Sequence, residues 1–246
     1  MDCLRWFEQH SKLSAILLTV GVTITAFMVY LPTVAPSISW QNGGTDSGEL
    51  AAAVATLGIP HPPGYPTYVL LGWGWSGLPL GGDLAYRLNL LSAMSAAVAA
   101  GLSALTIFLT GQKIVSNQTF VTIGAILAGL FLALAPLTWS QATITEVYAP
   151  GMAVLSLFTL LLLWGQRTEH PLTLMGIGLI GGLGVGVLPQ LALAFPGAMG
   201  WIYMSQRHSG RTKLYLLSLL GGLGLGLTIF LFLPVRKWYF SFADLR

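Results

Sequence analysis

Between Thr45 and Pro66 the chain reads T-D-S-G-E-L-A-A-A-V-A-T-L-G-I-P-H-P-P-G-Y-P. The stretch holds Asp46 and Glu49, two of only eight acidic residues, and His61, one of four histidines. Carboxylates and imidazoles are the side chains that exchange protons with a reacting group near neutral pH. Glu146 adds a third carboxylate in the later stretch W-S-Q-A-T-I-T-E-V-Y-A-P. A hard divalent cation between the acids is an option, although no spacing demands one. A structural role competes with each of these. Asp46-Ser-Gly-Glu49 is also a capping box, in which each side chain satisfies free backbone N–H groups at a helix start. His61 before Pro-Pro suits an ordinary surface loop, and Glu146 alone would cap the helix that follows it.

These groups lie in very apolar surroundings. No charge occurs from Leu13 to Thr45, and after Glu49 the next is Asp83. Charged residues make up 8% of the chain, hydrophobic ones 54%, and the mean hydropathy is +0.75. Soluble domains carry about 25% charged residues, so this is a multi-pass membrane protein. The net charge of +3 is modest. It fits lysines and arginines that orient loops about a bilayer, with lipid and not nucleic acid as the surrounding partner. The single cysteine, Cys3, excludes an intramolecular disulfide framework. The apolar segment after Lys12 exceeds the about 7–15 residues of a cleaved signal's core, so it reads as a signal anchor.

The elements that must position the acids follow from the apolar runs. A bilayer core requires roughly 20 residues of helix. Spans are expected at 13–35, 85–110, 118–138, 149–165, 172–188, 190–204 and 214–234, giving an all-α bundle read as one domain over residues 1–246. Residues 37–84 form the first outer loop, with a short helix from Asp46 to Leu57. Residues 67–79, rich in tryptophan and too short to cross, read as a helix lying at the interface. With the N-terminus inside, Arg5, Lys12, Lys113, Arg167, Arg207, Arg211 and Lys213 face the cytoplasm, as the positive-inside rule asks. Glu146 then falls on the same face as Asp46, Glu49 and His61. Three carboxylates and a histidine converge in a chain with few other acids, and ionisable groups beside a membrane point to function. Two glycine runs, 181–187 and 221–227, resemble a nucleotide loop but lie inside spans. Close helix packing is their expected role.

D-S-G-E-L at 46–50, H-P-P-G-Y-P at 61–66, Y-R-L-N-L-L-S at 86–92 and T-E-V-Y-A at 145–149 together resemble membrane glycosyltransferases of the GT-C fold. The chain is most similar to the transmembrane O-mannosyltransferases with a D-S-G-E…H-P-P-G-Y-P first loop. The resemblance implies transfer of a mannose-like sugar from a polyprenyl-phosphate donor to a hydroxyl acceptor, such as a protein Ser or Thr, on the periplasmic or lumenal face. Asp46 matches the catalytic acid of the family and Glu146 its second outer-loop acid, with Glu49 beside them. His61, Tyr65, Arg87 and Arg236 are expected to bind substrate.

Two departures accompany the resemblance. G-V-G-V-L-P-Q stands where relatives carry a polar or histidine-containing patch near 185–190. The chain also ends at Arg246, where such enzymes continue with further spans, so a partner chain or a longer product is expected to supply the remainder. The rival reading is a non-catalytic lipid-binding, transport or partner subunit. The expected spans hold no Asp or Glu, which favours an outer-face site over a conduction path.

Overall fold

A computed structural model describes residues 2–165, 170–208 and 210–243, except for the side chains of 2–11 and 240–243. The side chains of Cys3 and Arg5, and residues Arg167 and Arg246, therefore lie outside the described residues. The described residues form helices and connecting turns, without a strand.

The helices are α1 (Asp2–Tyr30), α2 (Ser47–Thr56), α3 (Pro66–Ser76), α4 (Leu84–Gly111), α5 (Gln118–Leu134), α6 (Pro136–Ala142), α7 (Tyr148–Gly165), α8 (Pro171–Val185), α9 (Ala194–Gln206), α10 (Thr212–Leu227) and α11 (Phe232–Ala243).

Four segments are long and apolar enough to cross a membrane: Lys12–Thr33, Leu84–Gly111, Tyr148–Gly165 and Thr212–Tyr239. α5 and α6 add a fifth if they form one span bent by 63° at Ala135-Pro136, where proline removes a helical hydrogen bond. The fifth and sixth expected spans are shorter helices. α8 has 15 residues and α9 has 13. They are separated by the turn at Gly186 and the 3-10 segment that begins at Pro189.

α4 is the central post. Its alanines Ala93, Ala96, Ala97, Ala100 and Ala104 are fully buried and let α1 and α5 approach. α1 meanwhile turns Ile16, Leu17, Val20, Ile24 and Met28 outward, as lipid-facing positions require. The two glycine runs pack against each other, as expected. A Cβ on Gly178 or Gly222 would fall on the backbone carbonyls of Leu219 and Met175 across the α8–α10 contact. One on Gly182 or Gly226 would stand 2.5 Å from the carbonyl oxygens of Leu223 and Leu179. Only hydrogen at these positions allows the backbones to touch.

One end of this bundle carries the first loop. Leu50 and Val54 of α2 and Tyr68 and Val69 of α3 are fully buried, as is Leu88 of α4. Leu50, Val54, Tyr68 and Leu88 share a cluster with Val147 and Val187. α3 leaves Leu71 and Trp73 exposed, consistent with an interfacial helix.

Candidate active site

α2 starts at Asp46, but the capping box does not form. The Asp46 side chain makes no cap hydrogen bond, and its backbone lies near φ −91°, ψ −7°, away from the extended conformation that aims an N-cap side chain at its own helix. Glu49 does not reach back either. Its Oε1 accepts from the His61 backbone N–H at 2.6 Å and its Oε2 lies 2.9 Å from His61 Nδ1. Packing across the loop holds the helix start instead, through Ser47 Oγ donating to the Thr145 carbonyl at 2.8 Å.

The Asp46 carboxylate is thereby left facing the imidazole, with Oδ2 3.7 Å from His61 Nε2. Tyr65 joins the same nitrogen, its hydroxyl 3.3 Å away and its ring edge-on to the imidazole. The His61 hydrogen bonds hold Glu49 below the usual carboxylate range. Desolvation, followed by the surrounding charges and Tyr148, pushes the Tyr65 phenol up. Single ligand atoms from Asp46, Glu49 and His61 all lie within 4.8 Å of one another, a spacing that a divalent cation could bridge.

Glu146 lies behind this group and is only 3% exposed. Burial, then the negative charge of Asp46, raises its pKa to about 7, against stabilisation by the backbone N–H groups of Val147 and Asp46 and by His61. Glu49 is held below the usual carboxylate range and Glu146 above it, so these two carboxylates lie in opposed environments, an arrangement suited to one that stays ionised and one that can hold a proton.

Three further residues that sequence did not assign to the site, Asn89, Thr145 and Tyr68, help to build it. Asn89 is buried on α4. Its Nδ2 donates to the carbonyls of Ala35 and Ser37, and its Oδ1 accepts from Thr145 Oγ1 at 2.6 Å. One amide thus pins the loop before α2 and the loop before α7. Its signals were its place in Y-R-L-N-L-L-S and an amide within a span, where a polar side chain must find partners. Tyr68 is the third, its hydroxyl fully buried with no hydrogen-bond partner. Burial, then the Glu146 charge, raises its pKa.

The two arginines sit elsewhere. Arg87 donates from its NH groups to the carbonyls of Ser76 at 2.8 Å and Gly82 at 3.4 Å, tying the end of α3 to the start of α4. Among the described residues no ion pair joins it to the acids. Arg236 donates to the Leu57 and Thr56 carbonyls at 2.7 and 2.6 Å and lies 5.2 Å over the Tyr239 ring. A cation at those last carbonyls suits the negative end of the α2 dipole. The second turn of the signature docks nearby. Thr67 and Tyr68 donate backbone N–H groups to Gly186, and Leu233 of α11 covers Gly64.

Fold and site together define a multi-pass membrane protein with a carboxylate–imidazole cluster at one end of its helices. Residues 46–212 match the family described as the protein O-mannosyl-transferase TMEM260 N-terminal domain, and the chain belongs to that family. It is 40% identical over 107 residues to a mouse protein named protein O-mannosyl-transferase TMEM260, covering 43% of this chain and 14% of the mouse one. It is 28% identical over 160 residues to the Dictyostelium discoideum protein of the same name, covering 64% of this chain and 18% of the relative. The aligned stretches therefore span less than a fifth of the length of these relatives. No solved structure matches the chain.

Proposed function

We propose that this chain forms the catalytic head of a GT-C-type membrane glycosyltransferase that moves mannose from a polyprenyl-phosphate donor to a protein hydroxyl. The reaction faces the lumen or periplasm, the N-terminus is cytoplasmic, and the bundle crosses seven times when α8 and α9 are included. Family membership and the relatives' printed names support the transferred group and the acceptor class. The observation that carries the mechanism is Asp46: a carboxylate at a helix start, released from capping and turned toward His61.

The acceptor oxygen attacks the sugar C1 while the bond from C1 to the phosphate oxygen breaks, the phosphate leaving with the electron pair. A phosphate is a good leaving group, so the demand falls on a base for the hydroxyl proton and on cations near the departing charge. Asp46 is the base. Arg87 and Arg236 are the candidates for the phosphate, since a guanidinium fork matches its oxygens. Each would exchange a backbone carbonyl for the donor. Arg→Lys at the position that binds should weaken donor binding while keeping the charge.

The test supplies purified protein and an acceptor peptide with either polyprenyl-phosphate mannose or a nucleotide-linked mannose. Transfer from the lipid donor alone is expected. Transfer from the nucleotide donor, or from neither, would overturn the reading.

A further inference from the structure

The second half of the chain reaches back to the signature loop through one face of α11. Leu233, Arg236 and Tyr239, three residues apart, share that face. Arg236 donates from Nε to the Leu57 carbonyl at 2.7 Å and from Nη2 to the Thr56 carbonyl at 2.6 Å, across 179 and 180 residues of sequence. The helix itself cannot satisfy these last carbonyls of α2, because Leu57 turns left-handed at φ 50° and ends it. One turn earlier on α11, Leu233 covers Gly64, where a Cβ would stand 2.8 Å from Leu233 Cδ2. The two contacts bracket the turn that carries His61, whose carbonyl accepts from the Gly64 N–H at 2.9 Å. α2 has only ten residues, at the margin of helix stability on its own, so its two ends fix its place. Ser47 holds the start through the Thr145 carbonyl, and Arg236 holds the end. Asp46 precedes the first turn of that helix, Glu49 lies in it, and His61 is tied to Glu49.

We infer that Arg236 is a positioning residue. With Leu233 it clasps both ends of the 57–64 turn and so sets where Asp46, Glu49 and His61 stand, which leaves the donor phosphate to Arg87. The two arginines differ in what they still have to give. Arg236 commits two N–H groups of its fork to short bonds, and a phosphate there would strip both carbonyls of their donor. Arg87 holds its carbonyls at 2.8 and 3.4 Å, and its Nε is buried without an acceptor. The role in catalysis rests on the proposed transfer reaction; the clasp itself does not.

The test compares wild type, Arg236→Met, Arg236→Lys and Leu233→Ala in lipid nanodiscs, with polyprenyl-phosphate mannose as donor. Hydrogen exchange is read first, because it requires no turnover. Amides of residues 57–64 should exchange roughly tenfold faster in Arg236→Met, and those of α4 at the wild-type rate. In the transfer assay the kcat of this variant should fall by roughly 10- to 10²-fold, as for a displaced reacting group, with donor affinity and acceptor KM unchanged. Arg236→Lys, whose ammonium carries three donors, should restore most of kcat, which a fork reserved for phosphate would not allow. Leu233→Ala removes a contact that cannot involve phosphate and should show a smaller kcat loss of the same kind. Weaker donor binding in Arg236→Met that Leu233→Ala does not share would overturn the inference. So would wild-type exchange over 57–64, or wild-type kcat, in Arg236→Met. Absence of transfer in the wild type would instead remove the proposed reaction, and the exchange rates would still decide whether α11 clasps the loop.

Discussion

Asp46 and Asp83 occupy the same position, the residue before the first turn of a helix, and they do opposite things. Asp83 is extended, at φ −79° and ψ 178°, and its carboxylate accepts from the Tyr86 backbone N–H at 2.7 Å and from Ser37 Oγ. These bonds hold its pKa below the usual range, and they commit both carboxylate oxygens to structure. Asp46 has a helical backbone and no cap bond, because Ser47 and Thr145 anchor the start of α2 in its place. Identical side chains at equivalent sites therefore become a cap or a free carboxylate according to whether another group holds the helix end. The acid proposed to act here is the one that has been relieved of structural work.

The largest expected effect separates the two. Asp46→Asn should lower transfer by roughly 10²–10⁴-fold, the usual loss for a general base, and leave the melting temperature unchanged, since the Asp46 side chain makes no cap hydrogen bond that could be lost.

Glu146 sharpens the contrast through pH. Its raised pKa means that between about 4.5 and 7 the folded protein keeps a proton that the unfolded chain has lost. The slope of stability with pH is then negative, and the cost of burying the carboxylate is fully felt above about 7. Glu146→Gln should remove this decline, worth roughly 3 kcal/mol, so its melting temperature should change less than that of the wild type over this window. Identical slopes in the two proteins would place the proton elsewhere.

Asn89 serves the Asp46 region from a distance. Asn89→Ala leaves the Ala35 and Ser37 carbonyls without that donor and Thr145 Oγ1 with only its longer bond to the Ala85 carbonyl at 3.3 Å, and should cost about 2 kcal/mol, read as a lower melting temperature with a partial loss of transfer. Asp83 gives the smallest effect. Asp83→Ala should cost about 1 kcal/mol as a lost cap, Asp83→Asn close to nothing, and both should transfer normally. A large activity loss in Asp83→Asn would break the comparison.

Much of this contrast was legible before the structure. Scarcity of charge exposed the membrane class and drew attention to Asp46, Glu49, His61 and Glu146, and the loop signature led to the family. The glycine runs were readable because their spacing leaves only packing as a use. Two things were hidden. The D-S-G-E spacing satisfies the capping box and a free acid equally, and only the Ser47–Thr145 bond, between residues 98 apart in sequence, decides between them. The break expected between 188 and 190 falls at Gly186 and the 3-10 segment from Pro189, but the apolar run did not reveal that the helices on either side would be only 15 and 13 residues long. The arginines show a related limit. Sequence places a cation near an outer loop but cannot tell that backbone carbonyls of Ser76, Gly82, Thr56 and Leu57 will occupy it.

The central claim is that the free carboxylate of Asp46 performs the chemical step. Its most direct test is a single-turnover measurement on Asp46→Asn with polyprenyl-phosphate mannose already bound and acceptor peptide in excess, run beside Asp83→Asn. Both variants are expected to bind the donor as the wild type does. Asp83→Asn should transfer mannose at the wild-type rate, and Asp46→Asn should hold its donor with transfer slowed by roughly 10²-fold or more. Transfer by Asp46→Asn at the wild-type rate would contradict the account.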